Sequence, residues 1–96
     1  MEKYIGKKVI VRANMAGVFF GTLTEVSGHD VTLTKARNIY YWEGANNLID
    51  ISLKGIKSGC VTAVVEGLVV CDVCELIPLA KNAIKNLEGQ PIWQYK

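Results

Sequence analysis

Residues 7–34 read KKVIVRANMAGVFFGTLTEVSGHDVTLT, and this stretch decides the fold class. β-Branched and aromatic residues fall here in three short runs, separated by the turn-forming segments Asn14–Gly17 and Ser27–Asp30. The first run alternates so that every second side chain from Val9 to Ala13 shares one face of a strand. The stretch therefore predicts consecutive strands joined by short turns.

The second run, Val18–Val26, changes phase near its middle. Val18 and Phe20 share one parity, whereas Leu23 takes the other, and Gly21 lies at the change. A phase change at a glycine predicts a bulge or a sharp bend, which small barrels need in order to close.

The remaining sequence completes a mainly β (α+β) architecture. Five short, strongly bent strands favour a small SH3/Sm-like barrel over a sandwich, with a short connecting helix and a C-terminal helix. The later elements are a third strand from Val31 towards Trp42, a helix from Asn46 or Asn47 to Gly55, strands over Cys60–Val65 and Leu68–Ile77 around a Glu66-Gly67 hairpin, and a helix from Pro78 to Gly89.

The chain has 96 residues, of which 50% are hydrophobic and 21% charged, and its net charge is +2. This length supports a single domain over residues 1–96, and the hydrophobic fraction excludes intrinsic disorder. No apolar run approaches the roughly 20 residues that cross a bilayer. The first residues also lack an apolar signal core. We therefore expect a cytoplasmic protein with no membrane contact, and the small net charge argues against nonspecific binding to DNA.

Cys60, Cys71 and Cys74 form an odd set of thiols in a chain without a signal core, so a disulfide framework is not expected. Cys71 and Cys74 have the spacing of a zinc knuckle or a thioredoxin-type pair. A zinc site needs about four ligands, however, and residues three apart on a strand point to opposite faces. We expect buried or half-buried structural thiols, with a metal or redox pair as the alternative.

One segment, Lys35–Asn47, combines a guanidinium, adjacent aromatic rings and two side-chain amides. Because a strand alternates its side chains, Tyr40 and Trp42 should face one way and Tyr41 the other, which leaves Arg37 near solvent or at a subunit boundary. Arginine beside flat rings is suited to stacking a base and pairing with a phosphate, and amides bind base edges. The predicted ligand-binding residues are therefore Arg37, Tyr40, Trp42, Asn46 and Asn47, with Arg12 and Lys54 contributing to a small positive patch.

These residues also have a structural interpretation. Tyr40 and Trp42 would then pack in the core or at an oligomer interface, and Arg37 would form a rim salt bridge with Glu43. Arg12 would be an ordinary solvated charge at a strand end. The sequence leaves both interpretations open.

Catalytic motifs are not found in the sequence. It has no nucleophile elbow, no paired metal ligands at helical spacing and no phosphate-binding glycine loop before a helix. His29 lies beside Asp30, but no nucleophile motif accompanies this pair. We therefore predict a protein that is not an enzyme, with no catalytic residues, no metal and no cofactor.

Two short segments resemble the motifs of Sm-like proteins. Gly21–Val26 followed by His29–Leu33 is similar to the first Sm motif, in which G-x-L, an apolar residue, a turn and a second strand follow one another. Leu53–Gly55 followed by Val61 is similar to the second motif. The resemblance implies a small barrel that assembles into a ring and binds single-stranded nucleic acid.

A longer resemblance is to small proteins of tailed phages and prophages, a group of unassigned chemistry. It implies a phage-encoded protein in the host cytoplasm, and small phage proteins often act by binding. The resemblance is carried by Val11-Arg12, Ala16–Val18, Gly21–Leu23, Ala36-Arg37, Tyr40, Trp42, Gly44–Asn46 and Ser52–Gly55.

The resulting hypothesis is a non-enzymatic, oligomeric phage protein that binds a small nucleotide-like ligand and so sequesters a host nucleotide immune signal. One alternative is an Sm-like binder of single-stranded nucleic acid. Another is an inhibitor or assembly protein that acts through a protein partner. The exposed edge of a small barrel invites pairing between subunits, so we expect a homo-oligomer, with a ring as one form.

Overall fold

The computed structural model describes residues 1–95, which form one antiparallel sheet, two α-helices and a short 3₁₀ turn at Glu2–Tyr4. The mainly β character and the two helices agree with the sequence prediction. The strands are β1 (Lys8–Ala13), β2 (Gly17–Ser27), β3 (Asp30–Glu43), β4 (Ser58–Val61), β5 (Leu68–Val70) and β6 (Val73–Pro78), and the helices are α1 (Leu48–Lys54) and α2 (Lys81–Glu88). None of the helices in residues 1–95 is long and apolar enough to span a membrane.

The sheet is open, with the strand order β4-β3-β2-β1-β6, so the predicted closed barrel is not formed. β5 pairs with the first half of β3, while β4 pairs with its second half. The predicted strand Leu68–Ile77 is interrupted at Asp72, which takes a left-handed backbone conformation with φ 58°. This break sends β5 to β3 and β6 to β1. The described residues therefore form six strands where the sequence predicted five.

The predicted hairpin at Glu66-Gly67 is also absent from the described residues. β4 and β5 do not pair with each other, because both lie along β3. Within the connecting segment, Val65 forms a two-hydrogen-bond bridge with Ala36 of β3. The segment between β4 and β5 is thereby held against the middle of β3.

Both faces of the central strand β1 are buried. Val9 and Val11 belong to a core made by the strands, which we call the strand core, whereas Ile10 belongs to a second core that includes helix residues, the helix-side core. The predicted common face of Val9 and Val11 is thus confirmed. Further members of the strand core are Ala13, Leu23, Val31, Leu33, Ala36, Val70 and Val73, and further members of the helix-side core are Val18, Phe20, Ile39, Leu48, Ile51, Ile56, Val61 and Leu87.

A bulge in β3 lies opposite Gly21 of β2. Two residues of β3, Lys35 and Ala36, face this single glycine, and Lys35 is left-handed with φ 51°. A Cβ atom on Gly21 would lie 2.9 Å from the Thr34 carbonyl oxygen, so the close approach of the strands requires glycine. The sequence predicted an irregularity at Gly21 itself, but here the extra residue belongs to β3.

Because of this bulge, odd-numbered residues before it and odd-numbered residues after it point to opposite faces of β3. Val31 and Leu33 precede it and lie in the strand core, whereas Ile39 follows it and lies in the helix-side core. In β2, Phe20 and Leu23 belong to different cores because both faces of that strand are covered. The change of phase in the hydrophobic pattern of β2 therefore arises because this strand is buried on both faces.

The two helices cover the helix-side core. As predicted, Asn47 caps α1 by accepting a hydrogen bond from the Asp50 backbone N–H at 2.9 Å, and Gly55 ends the helix with φ 81°. α2 starts at Lys81 and not at Pro78. Pro78 is instead the last residue of β6, where it lies at the edge of the sheet and needs no ladder donor.

Candidate functional site

Arg37 is the charged residue that the bulge directs into the helix-side layer. It pairs across the strands with Phe20, a member of the helix-side core, and only 4% of its surface is exposed. The sequence analysis expected Arg37 near solvent or at a subunit boundary, whereas Arg37 is buried within the single chain. The reason is the extra residue at Lys35, which turns the following side chain towards the helices.

The guanidinium of Arg37 joins three elements through backbone carbonyls. Its Nε donates to the Thr62 carbonyl oxygen at 2.6 Å, and its Nη1 donates to the Leu87 carbonyl oxygen at 3.2 Å. Leu87 lies in the last turn of α2, where a positive charge is favoured by the helix dipole. Arg37 therefore links β3, the residue after β4 and the end of α2.

The third nitrogen of this guanidinium has no partner. Among the described residues, Arg37 Nη2 is a buried side-chain atom without a hydrogen bond. The ion pairs of residues 1–95 join Met1 to Glu2, Lys8 to Glu88 and Arg12 to Glu75, and none of them involves Arg37. Burial lowers the pKa of Arg37, yet a guanidinium stays protonated in proteins. A positive charge is thus buried without a carboxylate partner.

A cavity of about 300 Å³ adjoins this guanidinium. We call it the Arg37 cavity. It is bounded by parts of β1, β2, β3, the segment after β4 and the end of α2. Its lining residues are Lys8, Phe20, Lys35, Arg37, Val64, Glu66 and Glu88.

Both carboxylates of the Arg37 cavity are engaged by other groups. Glu88 accepts a hydrogen bond and ion pair from Lys8 Nζ at 2.5 Å. Glu66 accepts from the Thr34 hydroxyl and from the Lys35 backbone N–H, the latter at 3.2 Å. The hydrogen bond from Thr34, followed by that from Lys35, lowers the pKa of Glu66. These contacts engage both carboxylates of the cavity, whereas Arg37 lines the same cavity without a carboxylate partner among the described residues.

The predicted aromatic residues lie outside this cavity. Tyr40 is 54% exposed and makes an edge-to-face contact with Trp93, with 6.3 Å between ring centroids. Tyr41 is also exposed and donates its hydroxyl to Glu43 at 2.8 Å, and this bond raises the pKa of Tyr41. Glu43 is therefore the partner of Tyr41 and does not form the expected salt bridge with Arg37.

The surroundings of Trp42 differ from those of the exposed Tyr40. Trp42 is half-buried against the helix-side core, and its Nε1 donates to the Ala45 carbonyl oxygen at 3.2 Å. The pairing of β3 with β4 shifts register between Ile39 and Tyr41, and this irregularity breaks the simple alternation that the sequence predicted. Trp42 thus has a packing role in the fold.

The predicted amides and the remaining basic residues are also separate from the Arg37 cavity. Asn47 caps α1, and the Asn46 backbone N–H donates to the Asp50 carboxylate at 3.1 Å. Lys54 is exposed at the end of α1. Arg12 Nε lies 3.6 Å from Glu75 of the neighbouring strand β6. Of the predicted ligand-binding residues, Arg37 is the one that lines the cavity.

The cysteines do not form a site. Cys60 is half-buried, while Cys71 and Cys74 are exposed, and all three are free thiols. The exposure of Cys71 and Cys74 corrects the expectation that they are buried or half-buried. Residues 1–95 contain no cluster of three histidine, cysteine or acidic side chains that could hold a metal ion.

The comparison with known families covers all six strands and most of the two helices. A family model described as a domain of unknown function, DUF6948, matches residues 6–87. The chain belongs to the DUF6948 family. That match extends from two residues before β1 to Leu87 in the last turn of α2, and so includes the residues that line the Arg37 cavity except Glu88. No curated protein matches the chain, and no solved structure does.

Sequence reasoning missed most of the cavity in this DUF6948 chain. Phe20 was identified as a strand residue, and Lys8, Glu66 and Glu88 were not singled out for binding. The parity of Val31 and Leu33 in β3 would draw Lys35 and Arg37 into the strand core, but Lys35 is exposed and the bulge turns Arg37 to the helix side. What the pattern did not supply was the position of the bulge and the return of the chain at residues 62–66.

Proposed function

We propose that this protein binds a small, anionic, nucleotide-like ligand in the Arg37 cavity without chemically changing it. One observation carries the proposal: Arg37, whose guanidinium is buried without a counter-charge among residues 1–95, lines a cavity of about 300 Å³. The proposed activity is sequestration, in which binding lowers the free concentration of the ligand. With the phage origin that the sequence resemblance implies, that ligand would be a nucleotide signal of the host.

Charge supports an anion in this position. A buried charge that lacks a counter-charge is unfavourable, and a hydrogen-bonded anion relieves that cost. Hydrogen bonds between a guanidinium and a phosphate or carboxylate are about twice as strong as neutral ones. An oxyanion in the cavity beside Arg37 would supply the missing negative charge.

Size and surface support a compact ligand with an apolar ring. Ligand pockets span about 300–1,000 Å³, and the volume of about 300 Å³ lies at the lower end of that range. Phe20 and Val64 give the cavity an apolar side, and Val64 is 55% exposed at its mouth. A mononucleotide-sized molecule suits these dimensions better than a polymer.

The engagement of the lining side chains supports binding over catalysis. A general base must be able to accept a proton from the substrate, whereas Glu88 is paired with Lys8 and Glu66 is held by Thr34. The cavity lining contains no serine, cysteine or histidine. We therefore propose that the ligand is held and not turned over.

Isothermal titration calorimetry with AMP and 3′,5′-cyclic AMP tests this proposal. Lys35→Asn removes a cavity charge, and asparagine tolerates the left-handed backbone at that position. Lys54→Asn is the matched control, because Lys54 is exposed at the far end of α1. We expect at least one nucleotide to bind, Lys35→Asn to weaken it several-fold, and Lys54→Asn to leave it unchanged.

Chromatography of the nucleotide after prolonged incubation checks for turnover, and recovery of intact nucleotide is expected. The absence of binding to both nucleotides with folded protein would overturn the proposal. Equal weakening by the two lysine variants would point to a diffuse electrostatic effect, as expected for an Sm-like binder of single strands.

A second candidate function, self-association or binding of a protein partner, is favoured by a different surface. Tyr40, Tyr41 and Trp93 are each about half exposed beside the edge strand β4, and neighbouring exposed aromatic residues are typical of interaction surfaces. Sedimentation analysis of the protein and of Tyr40→Ser/Tyr41→Ser tests it. A homo-oligomer that the double variant dissociates is expected, and a monomer at all concentrations would contradict self-association.

A further inference from the structure

We infer that the outer edge of β4 is a surface for pairing with a second copy of this chain, and that residues 90–95 close this edge within each copy. We call residues 90–95 the cover segment. The inference rests on the second candidate function, self-association, and specifies the interface and what controls it. It does not depend on ligand binding in the Arg37 cavity.

The cover segment follows α2 and contacts both ends of the β4 region. The Trp93 backbone N–H donates to the carbonyl oxygen of Val61, the last residue of β4, at 3.0 Å. The Gln90 Nε2 donates to the carbonyl oxygen of Ile56, two residues before β4, at 3.4 Å. Because β4 is the last strand of the sheet, the bond from Trp93 uses an acceptor that an added strand would use. The ring of Trp93 also covers part of Tyr40 through their edge-to-face contact.

The β4 edge lacks the protection that the opposite edge of the sheet has. β6 carries Pro78, which donates no hydrogen bond, and a bulge between residues 73 and 75. β4 is bonded to β3 from Lys57 to Thr62, and residues 58–63 read SGCVTA, with no charge and no proline. Exposed edges are protected by charge, proline, bulges or a covering loop. The cover segment therefore supplies the protection that the sequence of β4 lacks.

A second copy of the chain fits this edge because the edge is complementary to itself. Two β4 strands related by a two-fold axis pair in antiparallel orientation, and each supplies backbone donors and acceptors to the other. Residues 58–63 bring no like charges together, and they offer no charge that would recognise a charged peptide. Tyr40 and Tyr41, half exposed on β3 beside β4, add aromatic contact area to such a dimer.

The cover segment is held by few contacts, so it can be released. Residues 90–95 form no helix or strand. Among the described residues, the backbone bond that fixes positions 91–95 is the one from Trp93 to Val61. Trp93 is half exposed and belongs to neither the strand core nor the helix-side core. Segments with few buried contacts open at a low cost in free energy. Pairing between copies therefore competes with closure by the cover segment.

Sedimentation equilibrium of the full chain tests this competition in the unmodified protein, Trp93→Ala and Tyr95→Ala. Trp93→Ala removes the ring contact with Tyr40 and so weakens closure. Tyr95→Ala is the matched control, because it removes a 90% exposed ring from the same segment. We expect Trp93→Ala to lower the dissociation constant of the dimer about tenfold, as for an edge that is open in about a tenth of the copies. Tyr95→Ala should leave it unchanged.

Ser58→Lys places the interface on β4. Ser58 is exposed and lies opposite Glu43 of β3, so the fold should accept a lysine there, whereas a lysine on an edge strand opposes pairing with another chain. Trp93→Ala/Ser58→Lys should associate no more strongly than the unmodified protein. Continued strong association of this double variant would overturn the assignment to β4.

The remaining outcomes separate this inference from self-association itself. If the unmodified protein is an oligomer and Trp93→Ala associates equally or more weakly, the inference is overturned and self-association stands, with Trp93 inside the interface in the second case. Monomers in every variant at all concentrations would contradict both. Circular dichroism checks the fold, and an unfolded Trp93→Ala would show that Trp93 is required by the fold and is not a releasable cover.

Discussion

Arg37, which lines the Arg37 cavity, and the segment Tyr40–Asn47 are close in sequence, yet their polar groups differ in whether they have hydrogen-bond partners. In the segment, the side chains are exposed or satisfied locally: Trp42 donates to Ala45, and Asn47 caps α1. In the cavity, a buried guanidinium keeps one nitrogen unpartnered. Residue types suited to nucleotide binding are concentrated in the segment. The buried charge that lacks a partner among the described residues belongs to Arg37, which lines the cavity.

This contrast shows that polar groups without hydrogen-bond partners indicate a binding site better than residue composition does. An asparagine that caps a helix has used its acceptor and has little left for a base edge. A buried donor without a partner carries a desolvation cost that a ligand can remove. Substitutions in the segment should therefore leave ligand affinity unchanged, whereas substitutions that disturb Arg37 should lower it.

The largest expected effect is on stability, from truncation of Arg37. Arg37→Ala removes the donors to the Thr62 and Leu87 carbonyls and the packing of the aliphatic stem against Phe20, so we expect a loss of about 3 kcal/mol in the free energy of unfolding. Tyr40→Ala should cost about 1 kcal/mol or less, because Tyr40 is half exposed and loses mainly its contact with Trp93. Urea denaturation measures both, and equal losses would contradict the distinction.

Gly21→Ala tests the bulge that aims Arg37. The added Cβ would lie 2.9 Å from a backbone oxygen and 3.1 Å from the Ala36 Cα, so the strands must move apart. We expect a loss of about 2 kcal/mol, together with weaker nucleotide binding. Gly89→Ala is the control, since its backbone is right-handed and its nearest neighbour lies 3.2 Å away. If Gly21→Ala keeps full stability and full affinity for the nucleotide, the bulge does not position the site.

The sequence was sufficient for the elements that depend on local pattern. The alternation of hydrophobic and polar residues located β1, β2 and β3. Asparagine at the start and glycine at the end located α1. It was not sufficient where distant chain segments decide the outcome. The interruption at Asp72 and the shared use of β3 by β4 and β5 depend on tertiary pairing, and no local signal in Leu68–Ile77 separates one long strand from two short ones.

The candidate site was predictable only in part, for a similar reason. Arg37 was identified by its residue type, but its surroundings come from β1, the segment after β4 and α2, which are distant in sequence. The parity of Val31 and Leu33 would place Arg37 in the strand core, and it is the bulge at Lys35 that directs Arg37 to the helix-side core. Predicting the cavity itself would have required knowing that residues 62–66 lie against β3.

A smaller effect is expected in the segment Tyr40–Asn47, from loss of its helix cap. Asn47→Ala removes the acceptor of the Asp50 N–H, and we expect a cost of about 1 kcal/mol. Asn47→Asp should retain the cap and most of the stability. Because Asn47 does not line the Arg37 cavity, nucleotide affinity should be the same in both variants. If either variant loses nucleotide affinity while keeping full stability, Asn47 belongs to the binding site.

The smallest expected effect concerns the dependence of stability on pH at the rim of the cavity. The hydrogen bond from Thr34, and then that from the Lys35 N–H, lower the pKa of Glu66 below its ordinary value. A carboxyl whose pKa is lower in the folded state stabilises the fold at neutral pH, and this contribution is lost as the pH falls below the ordinary glutamate value of about 4.3 and through the lower folded-state value.

Glu66→Gln should therefore be slightly less stable than the unmodified protein at pH 7, and the difference should shrink as the pH is lowered. Thr34→Val removes the first of the two donors, so it should reproduce part of this change with the carboxylate still present. Urea midpoints measured from pH 7 to pH 3 follow the effect. A difference that grows on acidification would have the wrong sign, and it would mean that Glu66 is not held in its ionised form against the bulge of β3.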